Sequence, residues 1–315
     1  MNNSMKAVQI NGYGGNEVVL TNDVALPLLG PNQVLVEIHA AAINPVDWKI
    51  REGHLHQMAP LTFPATLGSD FSGIITKLGV NVTTFKVGDE IFGQAGHLTG
   101  GSGTFAEVAS ADINKIILKP DNLSHIEAAA LPLAALTAIQ AIYDNAKLAR
   151  GQKILIHGGT GGVGSSAIQI AKNLGAFVTT TVNGKNLERA KHLGADLVID
   201  YTTGKFEDLL RDYDIVFDTV GGEIYTKSFQ VLKPHGLIIS LTEQPNHELE
   251  TKFQVNAIFI FTNSTAKNLN ILAELTEQGV LNPLLDKTFS LQQTKEALDY
   301  QQNGHPQGKV TIKIR

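Results

Sequence analysis

The chain has 315 residues, of which 43% are hydrophobic, and a formal net charge of −5. This length favours two domains, the slightly acidic balance gives no sign of nucleic-acid binding, and no apolar run is long enough to span a bilayer. The sequence contains no cysteine, which excludes disulfides, thiolate nucleophiles and every zinc site that needs cysteine ligands. A cytoplasmic protein is expected, because the N-terminus lacks a basic segment followed by a hydrophobic one.

The first third of the chain has the pattern of an all-β domain. Short runs of strand-forming residues alternate with breakers such as Pro27, Gly30 and Pro31. The predicted strands cover residues 5–9, 18–20, 33–38, 74–76, 90–92 and 104–109. Many short strands separated by glycine and proline turns predict a barrel or a sandwich.

The pattern changes near residue 124, where helices and strands begin to alternate. Ser124 and Glu127 have the spacing of a capping box ahead of an alanine-rich helix. Further helices are expected at 134–146, 187–192, 206–211, 225–231 and 266–278, and strands at 154–156, 177–181, 197–199, 215–217 and 237–240. This alternation predicts a doubly wound parallel sheet.

The C-terminal segment combines a predicted helix at 291–300 with a closing strand at 310–314. This strand has no obvious place in the parallel sheet, so the tail is expected to return to the first domain. The predicted domains are therefore 1–123 together with 282–315, and 124–281.

A glycine-rich turn joins the buried strand at 154–156 to the helix that follows. Gly159, Gly161 and Gly164 form the spacing GxGxxG, which is typical of dinucleotide-binding turns. The first glycine permits the tight turn, the second lets the backbone approach a pyrophosphate, and the third lets helix and strand pack closely. A purely structural turn is the alternative. The predicted pyrophosphate-binding residues are Gly159, Thr160, Gly161, Gly162, Val163 and Gly164.

Several motifs together resemble one enzyme family. They are Gly151-Gln152, Gly161-Gly162-Val163-Gly164, Gln169 and Lys172 around the turn, and Asn44-Pro45-Val46-Asp47, Asp200-Tyr201, 217–221 and Gly308-Lys309-Val310 elsewhere. The chain resembles the zinc-independent, zeta-crystallin-like quinone oxidoreductases of the medium-chain dehydrogenase/reductase superfamily, and looks most like their alkenal and enone reductases. Thr160 departs from the usual alanine or serine. The resemblance implies a GroES-like β-rich catalytic domain, a Rossmann domain and a homodimer.

The zinc dehydrogenases of the same superfamily differ at their metal ligands. Where they place their first ligand cysteine this chain carries Asn44, and their Gly-His-Glu becomes Gly68-Ser69-Asp70. The short glycine-rich segment 93–103 replaces the lobe that holds their structural zinc. We therefore expect no metal site, and hydride delivery to an already electrophilic carbon rather than alcohol oxidation.

The residues after the second strand of the parallel sheet predict NADPH rather than NADH. An NAD-dependent enzyme usually carries an acid there, whereas this chain has Asn183 and Lys185, which suit a 2′-phosphate. Arg189 is a second basic candidate, and Tyr201 matches a family position that packs against the phosphate. The competing interpretation is that Lys185 and Arg189 are solvated surface charges.

Reduction of a conjugated C=C bond needs hydride at the β-carbon, stabilisation of enolate charge on oxygen, and a proton for the α-carbon. The predicted catalytic residues are Asn44 as a donor to the carbonyl oxygen, Lys49 as an enolate stabiliser and Thr137 near the nicotinamide ribose. Alternatively, Asn44 is a turn residue, Lys49 a surface charge and Thr137 a helix residue bonded to a carbonyl. Further cofactor contacts are expected at the strand ends, from Val220, Ser240, Leu241 and Thr242. The aromatic residues Tyr13, Trp48, Phe63 and Phe92 line a hydrophobic substrate slot or, alternatively, belong to the core.

The sequence thus predicts an NADPH-dependent oxidoreductase that transfers hydride to a small hydrophobic substrate. That substrate is a quinone or the C=C bond of an α,β-unsaturated carbonyl compound. One-electron quinone reduction is a rival within the enzyme class. A non-catalytic NADPH-binding protein, either a sensor or a structural protein, is the rival from another class, because fold alone does not fix function.

Overall fold

The computed structural model describes residues 4–58 and 60–315. The chain forms two compact units. The first, unit 1, contains Met1–Leu133, Ser264–Gly279 and Leu285–Arg315. The second, unit 2, contains Ala134–Asn263 and Val280–Leu284. Every helix within the described ranges is too short or too polar to cross a lipid bilayer.

The strands are β1 (Ser4–Ile10), β2 (Val19–Ala25), β3 (Gln33–Ile43), β4 (Ala65–Thr66), β5 (Asp70–Leu78), β6 (Glu90–Gln94), β7 (Val108–Asp112), β8 (Ile116–Leu118), β9 (Lys153–His157), β10 (Phe177–Val182), β11 (Leu197–Asp200), β12 (Tyr213–Asp218), β13 (Leu232–Ser240), β14 (Asn256–Phe259), β15 (Leu285–Ser290) and β16 (Lys309–Lys313). The α-helices are α1 (Pro45–Arg51), α2 (His125–Ala129), α3 (Pro132–Ile139), α4 (Gly162–Asn173), α5 (Leu187–His192), α6 (Phe206–Leu209), α7 (Glu223–Ser228), α8 (His247–Phe253), α9 (Ala266–Glu277) and α10 (Thr294–Asn303).

Unit 1 is built from two sheets, as the β-rich pattern predicts. Seven strands form one sheet in the order β15-β16-β3-β5-β6-β8, with β7 also paired to β3, and β2-β1-β4 form the other. The closing strand β16 runs antiparallel to β3, with Val310 opposite Ile43. This pairing confirms that the C-terminal tail returns to the first domain.

Unit 2 contains the predicted parallel sheet, with six strands in the order β11-β10-β9-β12-β13-β14. Its central strand β9 has Ile154, Leu155 and Ile156 fully buried, which is typical of a parallel strand covered on both faces. The sequence analysis missed the edge strand β14 and helix α8. The fold class, a GroES-like β-rich domain with a Rossmann domain, is confirmed.

The predicted domain boundaries need correction at both ends of the Rossmann domain. Helix α2 packs against β3 and β5 of unit 1, so the boundary lies near residue 134 rather than 124. Helix α9, predicted as the last helix of the parallel sheet, belongs to unit 1 instead. Hydrogen bonds hold it there: Asn122 Nδ2 donates to the Thr276 carbonyl at 2.9 Å, and Lys115 Nζ donates to the Ser264 carbonyl at 2.6 Å.

Candidate active site

The glycine turn between β9 and α4 is a tightly packed backbone cradle. A Cβ atom added at Gly159 would lie 2.0 Å from Thr180 Oγ1, and one at Gly164 would lie 2.3 Å from the Gly158 carbonyl oxygen. Gly161 differs, because its added Cβ would meet only the Gly158 oxygen, at 3.3 Å. Side chains at the first and third glycines would collide with the protein itself, whereas the second glycine has room on the protein side.

The N-terminus of α4 is free to bind an anion. Its N-cap is Gly161, which offers no side chain to cap the helix, and the first N–H groups of any α-helix lack an intrahelical acceptor. The backbone N–H groups of Gly162, Val163 and Gly164 therefore combine with the helix dipole in a site suited to phosphate. Thr160, at the turn, is 93% buried (7% exposed). These features fit the pyrophosphate of a dinucleotide.

The ends of β10 and β11 bring Asn183 and Tyr201 into neighbouring positions. The two strands are parallel with Val182 paired to Asp200, and the N–H of Tyr201 donates to the Val182 carbonyl at 3.1 Å. The Asn183 side chain accepts from the N–H of Lys185 at 3.2 Å, and the Lys185 side chain is exposed. Tyr201 is 56% exposed. A polar amide, a lysine and an aromatic ring thus share one edge of the sheet.

An acid also lies at this edge. Asp200 Oδ1 accepts from the N–H and the hydroxyl of Thr202, at 2.9 and 2.7 Å, and these hydrogen bonds lower the pKa of the carboxyl below its usual value. A Cβ added at Gly184 would lie 2.4 Å from Asp200 Oδ2, so the carboxylate faces the turn that carries Lys185. Asp200 was not predicted to act in cofactor choice, because it ends β11, whereas the expected acid follows β10.

The strand ends of β12 and β13 are organised by one buried carboxylate. Asp218 accepts from the N–H groups of Val220 and Gly221, at 3.0 and 2.9 Å, and from Ser240 Oγ at 2.8 Å. Ser240 is fully buried, and its oxygen also accepts from the N–H of Thr242 at 3.2 Å. The predicted contact residue Ser240 thus has its hydroxyl committed to the protein. It holds the loop in which Val220, Leu241 and Thr242 are more accessible.

Two of the other predicted residues have partners within their own unit. Thr137 Oγ1 lies 2.6 Å from Thr262 Oγ1 in unit 2 and is almost fully buried. Lys49 Nζ lies 5.6 Å from the centroid of the Trp48 ring, at cation–π distance.

Arg189 lines a surface hollow of about 680 Å³ beside the C-terminal half of α4, together with Lys172 and His192. That end of α4 is opposite its glycine turn.

In unit 1, Asn44 lies at the start of α1, and its backbone N–H, its Nδ2 and its Oδ1 each contact one buried partner. Its backbone N–H donates to Asp47 Oδ2 at 2.7 Å, and its Nδ2 donates to Asp70 Oδ2 at 2.9 Å. Its Oδ1 accepts from Lys309 Nζ at 2.5 Å. All four side chains are at least nine-tenths buried. We call this set, Asn44, Asp47, Asp70 and Lys309, the buried polar cluster.

Burial shifts the ionisation of each charged member of the buried polar cluster. It raises the pKa of Asp47 to about 7, and the N–H of Asn44 opposes the rise. It also raises the pKa of Asp70, against the Lys309 ammonium and donors that include Asn44 and Leu133. Burial lowers the pKa of Lys309, against the attraction of Asp70 and Asp47. One cation thus faces two carboxyl groups, and one of those carboxyls titrates near neutral pH.

Lys309 and Asp70 are the residues that the sequence analysis did not place in the site. Lys309 was recognised only within the terminal Gly308-Lys309-Val310 motif, and Asp70 only as the last residue of Gly68-Ser69-Asp70. Lys309 Nζ lies 3.6 Å from Asp70 Oδ2, and 265 positions separate Lys309 from Asn44. Only the pairing of β16 with β3 brings the lysine to the other residues.

The buried polar cluster does not suit a zinc ion. Zinc sites use thiolate, imidazole and carboxylate ligands, and a lysine ammonium carries no lone pair. The Nζ of Lys309 contacts Asn44, at the expected position of the first ligand, and Asp70, the neighbour of Ser69 at the other expected position. In the part of the chain that the structure describes, no three His, Cys, Asp or Glu side chains are grouped to hold a metal ion.

The predicted aromatic slot is only partly assembled. Tyr13 and Phe63 pack edge to face with ring centroids 4.9 Å apart, and the Tyr13 hydroxyl accepts from the N–H of Leu61 at 3.1 Å. Trp48 packs against His54 at 5.9 Å. Phe92 is fully buried in β6, which favours the alternative that it is a core residue. An apolar residue on a strand is as often core as lining, and the sequence pattern does not separate the two.

Comparison with known proteins gives matches across the chain. Residues 30–121 match the family described as alcohol dehydrogenase GroES-like domain, and residues 193–312 match the family described as zinc-binding dehydrogenase. The chain is 39% identical over 319 residues to 2-methylene-furan-3-one reductase of Solanum lycopersicum, covering 98% of this chain and 79% of that protein.

Two further relatives match over nearly the whole chain. The mitochondrial NAD(P)H oxidoreductase RTN4IP1 of Mus musculus is 32% identical over 355 residues, covering 98% of this chain and 89% of that protein. The solved structure of the quinone oxidoreductase from Coxiella burnetii is similar with a TM-score of 0.90 and 33% identity, covering 99% of this chain and all of that one. Both agree with the resemblance on which the sequence analysis relied.

Proposed function

Since the chain belongs to the quinone oxidoreductase family of the medium-chain dehydrogenase/reductase superfamily, we propose that it reduces the C=C bond of α,β-unsaturated carbonyl compounds, or quinones, with NADPH and without zinc. The observation that carries the proposal is the amide of Asn44, a fixed and buried donor at the position of a zinc ligand in related dehydrogenases. An amide donor suits an oxygen that gains negative charge.

The chain's own residues have two roles, which are to bind the cofactor and to stabilise the charge that develops on the substrate oxygen. A bound nicotinamide cofactor would supply the hydride, and water would supply the proton for the α-carbon. The glycine turn and the N–H groups of Gly162 and Val163 would bind the pyrophosphate, and the loop held by Asp218 would hold the nicotinamide end. Asn44 has one Nδ2–H left after its bond to Asp70, and this hydrogen donates to the substrate oxygen. The similar reductase from Solanum lycopersicum supports an enone as the substrate class.

We propose NADPH as the cofactor because Asn183, Lys185 and Tyr201 share the sheet edge where a 2′-phosphate binds in Rossmann domains. Lys185 supplies the positive charge. Asp200 is the one feature at this edge that favours NADH, since a carboxylate accepts from a ribose hydroxyl and repels a phosphate.

Lys185→Ala is expected to raise the KM for NADPH by on the order of 10-fold, because a charge-assisted hydrogen bond to the phosphate is lost. The KM for NADH should stay unchanged. Steady-state kinetics with both cofactors give the ratio of the KM for NADPH to the KM for NADH. Lys191→Ala is the matched control, because its ammonium pairs with Glu188 at 2.8 Å on helix α5, which begins shortly after Lys185, and its side chain is exposed. Unchanged discrimination in Lys185→Ala would contradict the assignment of the phosphate site.

A panel of enones, alkenals and quinones, assayed with NADPH and with NADH, tests the function itself. Two-electron reduction of at least one enone or quinone is expected, without semiquinone release. Accumulation of semiquinone would support the one-electron alternative. Tight cofactor binding by calorimetry with no turnover across the panel would support the rival interpretation, a non-catalytic binding protein.

A further inference from the structure

The side-chain amide of Asn44 is held from both ends by opposite charges. Its oxygen accepts from the Lys309 ammonium, and its nitrogen donates to the Asp70 carboxylate at 2.9 Å. A flipped amide would place its NH2 group against the ammonium and its oxygen against the carboxylate. Both contacts would then be repulsive, so the charges fix one orientation of the amide.

Lys309 is an unusual residue to find in this position. Only 5% of it is exposed, although lysine is almost never fully buried without a partner. The antiparallel pairing of Val310 with Ile43 places Lys309 across from Asn44. A buried ion pair is often no more stable than an apolar pair of the same volume. Stability alone therefore gives no reason for a lysine here.

The lysine also changes the character of the amide. A cation at the oxygen draws electron density from the nitrogen, so the remaining Nδ2–H becomes a stronger donor. The opposite bond, from Nδ2 to Asp70, uses only one of the two N–H groups. Asp70 is in turn fixed by the N–H of Leu133 at 3.1 Å and by Gln94 Nε2 at 3.3 Å. These bonds fix the amide of Asn44 and leave its second Nδ2–H as a donor.

We infer that Lys309 is a positioning residue for the proposed reaction. Its ammonium holds and polarises the amide of Asn44, so that the second Nδ2–H is a preset donor for the oxygen that becomes an enolate. This inference rests on the proposed function, because it assigns Asn44 to the substrate oxygen. The ammonium acts through Asn44 and does not itself contact the substrate.

Steady-state kinetics of Lys309→Met with an enone substrate test the inference. We expect kcat to fall about 10- to 100-fold, somewhat less than for loss of an oxyanion donor itself, with the KM for NADPH unchanged. In Asn44→Ala, kcat should fall at least as far. The double variant should be no slower than Asn44→Ala, because the lysine acts only through the amide.

Binding of 4-nitrophenolate, used as an oxyanion analogue, gives a readout that does not depend on turnover. Its Kd should rise about 10-fold in Lys309→Met and in Asn44→Ala, and no further in the double variant. Lys313→Met is the matched control, because Lys313 is exposed on the same strand β16. Lys309→Met combined with Asp70→Asn removes both charges, and it replaces the single variant if that variant does not fold.

The possible outcomes distinguish a failure of this inference from a failure of the proposed function. A wild type that reduces nothing in the panel overturns the proposed function, and the phenolate titration then decides the role of Lys309 by itself. A wild type that is active while Lys309→Met keeps its kcat and its phenolate affinity overturns the inference alone. The inference also fails if the effects of Lys309→Met and Asn44→Ala multiply in the double variant.

Discussion

Gly164→Ala is expected to lower the free energy of unfolding by about 1–3 kcal/mol and NADPH affinity by on the order of 100-fold. The added Cβ would lie 2.3 Å from the Gly158 carbonyl oxygen and 2.9 Å from Gly159 Cα. Both neighbours are backbone atoms, so no side-chain rotation relieves the clash. Helix α4 must move away from β9, and its N-terminal N–H groups move with it.

Gly161→Ala separates binding from folding. Its N-cap backbone has φ −73°, which alanine adopts freely, and its Cβ would meet only one protein atom, at 3.3 Å. We expect an unfolding midpoint close to that of the wild type with NADPH affinity reduced at least 10-fold, since the Cβ occupies the space of the pyrophosphate. Urea unfolding and calorimetric titration measure the two quantities.

A neutral glycine substitution completes the comparison. Gly12→Ala is a suitable control, because an added Cβ there has no neighbour within 4 Å and the backbone needs no positive φ. It should change neither stability nor affinity. If Gly161→Ala binds NADPH as tightly as the wild type does, the glycine turn is structural and the pyrophosphate binds elsewhere.

Asp47→Asn is expected to remove a large pH dependence of stability. The Asp47 carboxyl has a pKa of about 7 when folded and an ordinary value of 3.8. The unfolded chain therefore releases this proton first as pH rises. The stabilisation of the folded protein by protonated Asp47 is fully present below pH 3.8 and is lost as the pH approaches 7. The slope is about 1.4 kcal/mol per pH unit, so about 4 kcal/mol is lost across the window.

The asparagine variant should keep the local structure without the titration. Its Oδ1 can still accept from the N–H of Asn44, a bond of 2.7 Å in the wild type. Between pH 5 and pH 8, the free energy of unfolding of Asp47→Asn should rise by about 3 kcal/mol relative to that of the wild type. Urea unfolding at each pH measures this difference. Asp121→Asn, at an exposed position, is the control. Parallel curves for the wild type and Asp47→Asn would mean that Asp47 is ionised throughout.

Most of the features that were predicted correctly from the sequence depend on local residue patterns. The capping box of Ser124 and Glu127 forms as predicted, with the Ser124 hydroxyl accepting from the Glu127 N–H. Helix α5 has the predicted bounds, 187–192. The glycine spacing marked the turn at β9, because strand, turn and helix are consecutive in the chain. Each of these features depends on residues within a few positions of one another.

Long-range packing decided the features that the sequence left open. Asn44 was recognised from its motif, but Asp70 and Lys309 reach it only through the pairing of β3 with β5 and β16. The burial of Phe92 and of the Ser240 hydroxyl likewise depends on neighbouring strands. Register and burial are set by the combined packing of distant segments, which no local pattern encodes. The sequence by itself therefore determined the fold class and the glycine turn, and only the tertiary structure assembled the buried polar cluster.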